Sequence, residues 1–362
     1  MGTIKQNRAN NILTSGKLDA TDGLNNNVPA TNIANASLSN ITSYPPSAGA
    51  GVSSVASDPP SPNGGQIWYN TTSGALKQYS FLGSWVSGGN ANTARETAGS
   101  FGTQTSNIVA SGNPNPKTNV ESYDGSTWTE VADLNVSRGS NSGAGVSNTS
   151  GLIFGGSTTP AYVGNTESWN GSSWTEVNDL NTGGFAGGGA GTQTAALMVQ
   201  RYTPAGITNV VESWDGTNWT EVGEMNTARY ILSSTTGSNT AAIVSGGNPS
   251  PASPSVELWN GTSWTETTEL NTPRWKSASS GISTLSLTYG GLTPSTTVNT
   301  EAWNGSTWTE LNNLSIARGG LTGSGAGTQN SALASFGNLE PGLQVATEEW
   351  TQGLTVQTIT AS

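Results

Sequence analysis

The chain contains no cysteine and no histidine, and only 10% of its 362 residues carry a charge. Without cysteine there is neither a disulfide framework nor a thiolate nucleophile. Without histidine there is no imidazole acid or base, no Ser-His-Asp triad and no histidine-ligated metal. No run of 18 apolar residues occurs, so hydropathy indicates no spanning helix. The first twenty residues are polar and lack the apolar stretch of a secretory signal. Twelve basic residues face 23 acidic ones, a formal charge of −11, which argues against nucleic acid or an anionic membrane surface as partner. These absences lead us to expect no cofactor, no metal and no membrane insertion.

What is abundant is glycine, 48 residues, together with Ser, Thr and Asn and an unusual 13 Trp. Residues that favour helices are scarce, so a core has to be built from β-sheet, a few large aromatics packing among many small side chains. The decisive feature is an internal repeat. The segments VESYDGSTWTEV from Val120, TESWNGSSWTEV from Thr166, VESWDGTNWTEV from Val211, VELWNGTSWTET from Val256 and TEAWNGSTWTEL from Thr300 align without gaps. Their second aromatic, a Trp in each, falls at 128, 174, 219, 264 and 308, at intervals of 46, 45, 45 and 44. A degenerate copy holds Trp350, and a weaker one ends at Trp85, 43 residues before Trp128.

Each segment predicts a β-hairpin, with Asp-Gly or Asn-Gly at the turn and two aromatics on one face. A Leu/Met-Asn-x-x-Arg element follows, ending at Arg138, Arg229, Arg274 and Arg318, with a weaker version at Arg95 and Ser315 replacing Asn in the last. The third copy has Gly184 where Arg is expected. Then come a Gly-rich stretch and a short apolar strand that often ends in Gly-Gly, as at Gly155-Gly156, Gly246-Gly247 and Gly290-Gly291. A unit of about 45 residues with four short strands is the size of one propeller blade, which hides its faces only by packing between two neighbours.

With Gly155-Gly156, Trp169 and Trp174, then Gly246-Gly247, Trp259, Trp264 and Arg274, the repeat resembles the kelch family of β-propellers. The resemblance covers roughly residues 86–358; it departs from the family pattern in using Trp at the usual Tyr position and in breaking Gly-Gly at Gln200-Arg201. The expected fold class is therefore all-β, a kelch-like β-propeller of six complete four-stranded blades preceded by an extended N-terminal arm. Residues 62–86, with Tyr79 and Trp85 six apart, read as a small β module or a reduced seventh blade. Residues 87–362 carry the propeller.

Residues 1–61 do not share the repeat and read as an extended attachment arm, with Pro45-Pro46 and Pro59-Pro60 punctuating its end. The segment from Gly65 to Tyr79, followed by Gly83-Ser84-Trp85, resembles a small module of bacteriophage tail and fibre proteins. The stretch from Thr3 to Lys17 resembles N-terminal sequence of marine-phage virion proteins. This resemblance implies a virion location. The arm would contact other virion proteins, and a homotrimer is compatible with such an arm.

Six longer, proline-bearing connections, 113–118, 157–164, 202–208, 248–255, 292–298 and 338–346, are expected on one face of the ring. They carry Tyr162 and Tyr202, the candidate recognition residues for a host glycan or surface protein. No catalytic residue is assigned. The paired carboxylates Glu121/Glu130 and Glu212/Glu221 recur in blade after blade, whereas an active site needs one asymmetric set. The recurring arginines are expected to bind backbone carbonyls or neighbouring acidic groups within the ring. The expected function is that of a noncatalytic phage structural protein, a tail fibre or tail-associated adhesin. A capsid decoration protein, a cellular kelch-like scaffold and a carbohydrate-active enzyme are the alternatives.

Overall fold

The structure is a computed structural model that describes residues 52–60, 66–158, 160–230, 235–248, 252–339 and 342–359. Most of residues 1–61, expected to form an attachment arm, and the side chain of Tyr79 lie outside the described residues. The chain divides into two compact units, Met1–Leu82 with Gly353–Ser362, and Gly83–Gln352.

In the first unit, the strand Ser53–Val55 runs parallel to Ile67–Asn70, which pairs antiparallel with the start of the strand Ala75–Ser87. Leu76 and Ile359 are buried there against Val52, Ile67 and Tyr69. The carboxylate of Asp58 accepts hydrogen bonds from Asn70 Nδ2 at 2.7 Å, Trp68 Nε1 at 2.9 Å and Lys77 Nζ at 3.1 Å. Those bonds, the amide's foremost, hold the Asp58 carboxyl below its ordinary pKa. Ile67–Asn70 and the start of Ala75–Ser87 thus form a small β structure with Ser53–Val55, the one strand that pairs in parallel.

Among the described residues, the second unit is built from six antiparallel blades and a two-stranded ladder of Asn338–Leu339 with Gly342–Leu343. Blade 1 comprises Gly99–Thr103, Ser106–Ala110, Val120–Tyr123 and Trp128–Val131, and blades 2 to 5 repeat that order. Their innermost strands, Gly99–Thr103, Ser142–Ser147, Gly188–Thr192, Thr235–Gly237 and Ala278–Ile282, lie each beside the next; Thr322–Gly323 of blade 6 lies beside both the fifth and the first, closing a ring. This unit is a β-propeller.

Blade 6 is composite. Thr322–Gly323, Ser331–Ser335 and the strand Thr347–Thr358 supply three strands, and residues 83–87, the end of Ala75–Ser87, supply the outer one. Trp85 accordingly occupies the outer aromatic position, 5.4 Å from Trp350, just as Trp174 stands 5.0 Å from Trp169 in blade 2. The weak early copy of the repeat is therefore the missing end of the last one.

The hairpin loops hold four residues. Tyr123 faces Trp128 directly across the sheet, and Asp124 Oδ1 accepts from the backbone N–H of Thr127 at 2.8 Å and Ser126 at 2.9 Å. Those two donors push the Asp124 carboxyl down to about 2. Glycine follows because the next residue is left-handed, with φ of +94° at Gly171. Near the axis glycine serves a different purpose, close approach. A Cβ at Gly143 would lie 2.5 Å from Ser100 O, and one at Gly189 would lie 2.3 Å from Gly143 O. Small residues there let successive backbones converge.

Farther out, aromatics fill the widening gaps. Between blades 2 and 3, Leu152 and Phe154 pack on Met198, Trp214 and Trp219, with the rings of Phe154 and Trp219 4.9 Å apart. Burying one such side chain contributes about 1.5–3 kcal/mol. Every outer indole also donates to the preceding blade: Trp174 to Ala132 O, Trp219 to Thr166 Oγ1, Trp264 to Gly223 O, Trp308 to Thr268 O, Trp85 to Thr300 Oγ1 and Trp128 to Thr347 Oγ1. The Gly-Thr-Gln motif adds a second clamp. Gln193 Nε2 reaches Trp169 O at 2.5 Å, while Gln104 and Gln329 reach the equivalent carbonyls of Trp350 and Trp303.

Two buried tyrosines are expected to make the ring sensitive to alkali. Tyr289 donates to Leu333 O at 2.8 Å and Tyr123 to the Glu349 carboxylate, and burial pushes both phenols above their ordinary value. A group whose folded pKa is raised contributes stability below its unfolded value and loses it as pH rises. We expect Tm to be flat from neutrality to about pH 10, the unfolded value, and to fall above it. Tyr289→Phe should flatten that fall in a thermal-melt series; an unchanged slope would refute the assignment.

Candidate recognition face and the ring that supports it

The Leu-Asn-x-x-Arg element is the linker into each blade, and its polar residues staple it to that blade's third strand. Glu167 Oε2 accepts from the backbone N–H of Asn135 at 2.7 Å and from its amide at 2.9 Å, while Oε1 accepts from Arg138 Nη2 at 2.6 Å. Asn92 with Glu121, Asn226 with Glu257 and Asn271 with Glu301 repeat the arrangement, and Ser315 substitutes its hydroxyl at Glu348. The arginine partners are Arg95, Arg229, Arg274 and Arg318, and each side chain is buried. Burial lowers the pKa of these guanidinium groups, and the paired glutamates oppose that shift.

Both kinds of partner expected for the arginines are present: Arg274, for example, also donates to Asn299 O at 2.7 Å. In each Glu pair, then, the first carboxylate is buried against Arg and the second, as at Glu130, is exposed.

Blade 3 reaches the same result by another route. Gly184 occupies the usual Arg position, and Arg201, at the end of the strand Ala195–Thr203, pairs with Glu212 instead. A Cβ on Gly184 would lie 2.8 Å from Arg201 Cδ, so the incoming guanidinium stem fills the volume an arginine at 184 would use. Two departures that look unrelated along the chain, Gly184 and the broken Gly-Gly at Gln200-Arg201, are one exchange. In other blades the second glycine is left-handed, with φ of +113° at Gly156. Arg201 is not, so its strand continues and pairs Tyr202 with Ile207. The 202–208 connection, expected as a loop, is a hairpin for this reason.

The axis encloses little space. A cavity of about 30 Å³ is lined by Ser100, Asn141, Ser142, Thr235, Ser279 and small neighbours. Asn141 Nδ2 and Thr235 Oγ1 are buried without a protein partner. That volume suits one or two waters, far short of the several hundred Å³ of an organic ligand site. Among the described residues no group of three or more acidic side chains gathers as a metal site.

The connections offer more. Tyr162 and Tyr202 meet edge to face at 6.1 Å, and Phe185 lies 4.8 Å from the first and 5.4 Å from the second. The row continues from Tyr202 to Tyr230 at 6.0 Å and from Tyr230 to Trp275 at 6.2 Å. Asn248 Nδ2 donates to the Tyr230 hydroxyl at 2.6 Å. Lys276 Nζ stands 5.3 Å from the Trp275 ring and 3.4 Å from Glu96 Oε2. All five rings are half-buried. Sequence reasoning singled out Tyr162 and Tyr202 and missed Phe185, Tyr230 and Trp275. Each of those three immediately follows the Arg position of its linker, a place the repeat leaves variable.

No family model matches the chain, and no curated protein matches it. Among solved structures, that of YjhT, a β-propeller, is similar over 74% of this chain and 99% of its own, with a TM-score of 0.61 and 13% identity. At that identity the likeness concerns the fold.

Proposed function

We propose that the protein is a noncatalytic structural and adhesion protein of a phage particle, attached through its N-terminal arm and presenting the connection face of the propeller to a host surface. The single observation that carries the noncatalytic part is the burial of the repeated carboxylates. Glu121, Glu167, Glu212, Glu257, Glu301 and Glu348 are each about 0–1% exposed and each paired with an arginine, so none is placed to meet a substrate. The repeat's kelch-like pattern supports an interaction scaffold. The likeness of the first quarter of the chain to phage tail and virion sequences supports the particle, with tail fibre or tail-associated placement ahead of head decoration.

The row from Tyr162 to Trp275 supports the choice of recognition face, because it occupies only one arc of the ring, whereas a buried Arg–Glu pair recurs in all six blades. Mass spectrometry and immunogold labelling of purified particles test the location: the chain should co-purify in fixed stoichiometry and label at the tail. Particles lacking it would overturn the reading.

A further inference from the structure

We propose that the aromatic row formed by Tyr162, Phe185, Tyr202, Tyr230 and Trp275 is the binding track for a neutral carbohydrate chain; this rests on the adhesin reading and supplies its ligand class. The fold itself does not require these rings. At the residue after Arg, blades 1, 2 and 6 carry Glu96, Gly139 and Gly319, while blades 3, 4 and 5 carry Phe185, Tyr230 and Trp275. All six positions make the same backbone bridge, to Asn113, Ser157, Tyr202, Asn248, Leu292 and Asn338. A glycine therefore satisfies the backbone geometry there, and three consecutive aromatics are surplus to it.

The chemistry of the row selects the occupant. Half-buried rings, tilted or edge to face with neighbours 4.8–6.2 Å apart, expose apolar area with polar tips at the three tyrosines. A sugar chain offers the complement, C–H faces for the rings and hydroxyl edges for phenol and amide groups. Charge narrows the class further. The cation beside the row, Lys276, is already committed to Glu96, and the chain carries −11 overall, which disfavours acidic polysaccharide. A folded protein partner would need a broad, well-packed apolar centre, whereas beyond the cluster of Tyr162, Phe185 and Tyr202 the rings follow one another singly, through Tyr230 to Trp275.

The test uses the full-length protein and immobilised neutral gluco-, galacto-, manno- and rhamno-oligosaccharides, alongside sulfated and carboxylated counterparts. We expect neutral chains to bind and to change the fluorescence of Trp275. Tyr230→Ala and Trp275→Ala should each weaken binding about tenfold or more, with Trp275→Phe recovering part of it and far-UV spectra unchanged. Ile282→Ser, at an exposed position on an inner-strand turn, should leave it intact. Binding of neutral chains that survives both alanine changes would overturn the track. So would binding confined to acidic chains, or to a surface protein. Adherence to host cells with no carbohydrate bound would also overturn the track while leaving the adhesin reading standing; loss of adherence itself would remove that reading instead.

Discussion

Arg201→Gly should destabilise the protein by about 3–5 kcal/mol, because it strands a buried glutamate. Glu212 Oε2 would keep its bonds to the backbone and amide of Asn181, at 2.7 and 2.8 Å, but its other oxygen would lose the guanidinium. The same change at an exposed arginine would be close to neutral. The informative experiment is the second step. Adding Gly184→Arg to Arg201→Gly restores the arrangement of the other five blades, and denaturant melts should show recovery of part of the loss. If the double variant is no more stable than the single one, the two positions are not exchangeable sources of one cation. Gly184→Arg alone should be destabilising, since two arginine stems would then compete for one space.

An effect as large is expected at the ring closure. A chain beginning at Gly83 keeps the outer strand of blade 6, whereas one beginning at Gly88 loses Trp85, its contact with Trp350 at 5.4 Å and its bond to Thr300 Oγ1 at 3.0 Å. Cooperative melting should persist in the first and broaden or vanish in the second. Trp85→Ala in the full chain isolates the side chain and should cost about 3–5 kcal/mol. If the two truncated chains melt alike, the sixth blade does not depend on that strand.

Much of the propeller could be read along the sequence, for identifiable reasons. The Asp-Gly and Asn-Gly turns, the paired aromatics and the 44–46-residue interval all encode local geometry, and local geometry survives in linear order. What linear order hides is pairing at a distance. Trp85 reads as the start of a blade because nothing near it in sequence shows that its partner is Trp350. Gly184 and Arg201 likewise read as two defects until the space they share is seen. The linker arginines were legible as ring-internal residues; that each meets the glutamate of the blade it leads into was not. In the aromatic row, two of the five rings, Tyr162 and Tyr202, were singled out through their loops. The remaining three sit against a conserved-looking repeat element and were masked by its regularity.

The composite sixth blade also bears on how the molecule is made. The first strand of the propeller to leave the ribosome has to wait, unpaired on one edge, until the last repeat has been synthesised. Blades 1 to 5 can assemble in order as they emerge, but the circle is sealed only once the strand Thr347–Thr358 has been made. Premature termination anywhere before Trp350 leaves an open arc with an exposed strand edge, a species suited to aggregation or degradation. The architecture thereby acts as a check on synthesis, in which only a chain that extends through the last repeat becomes a closed ring.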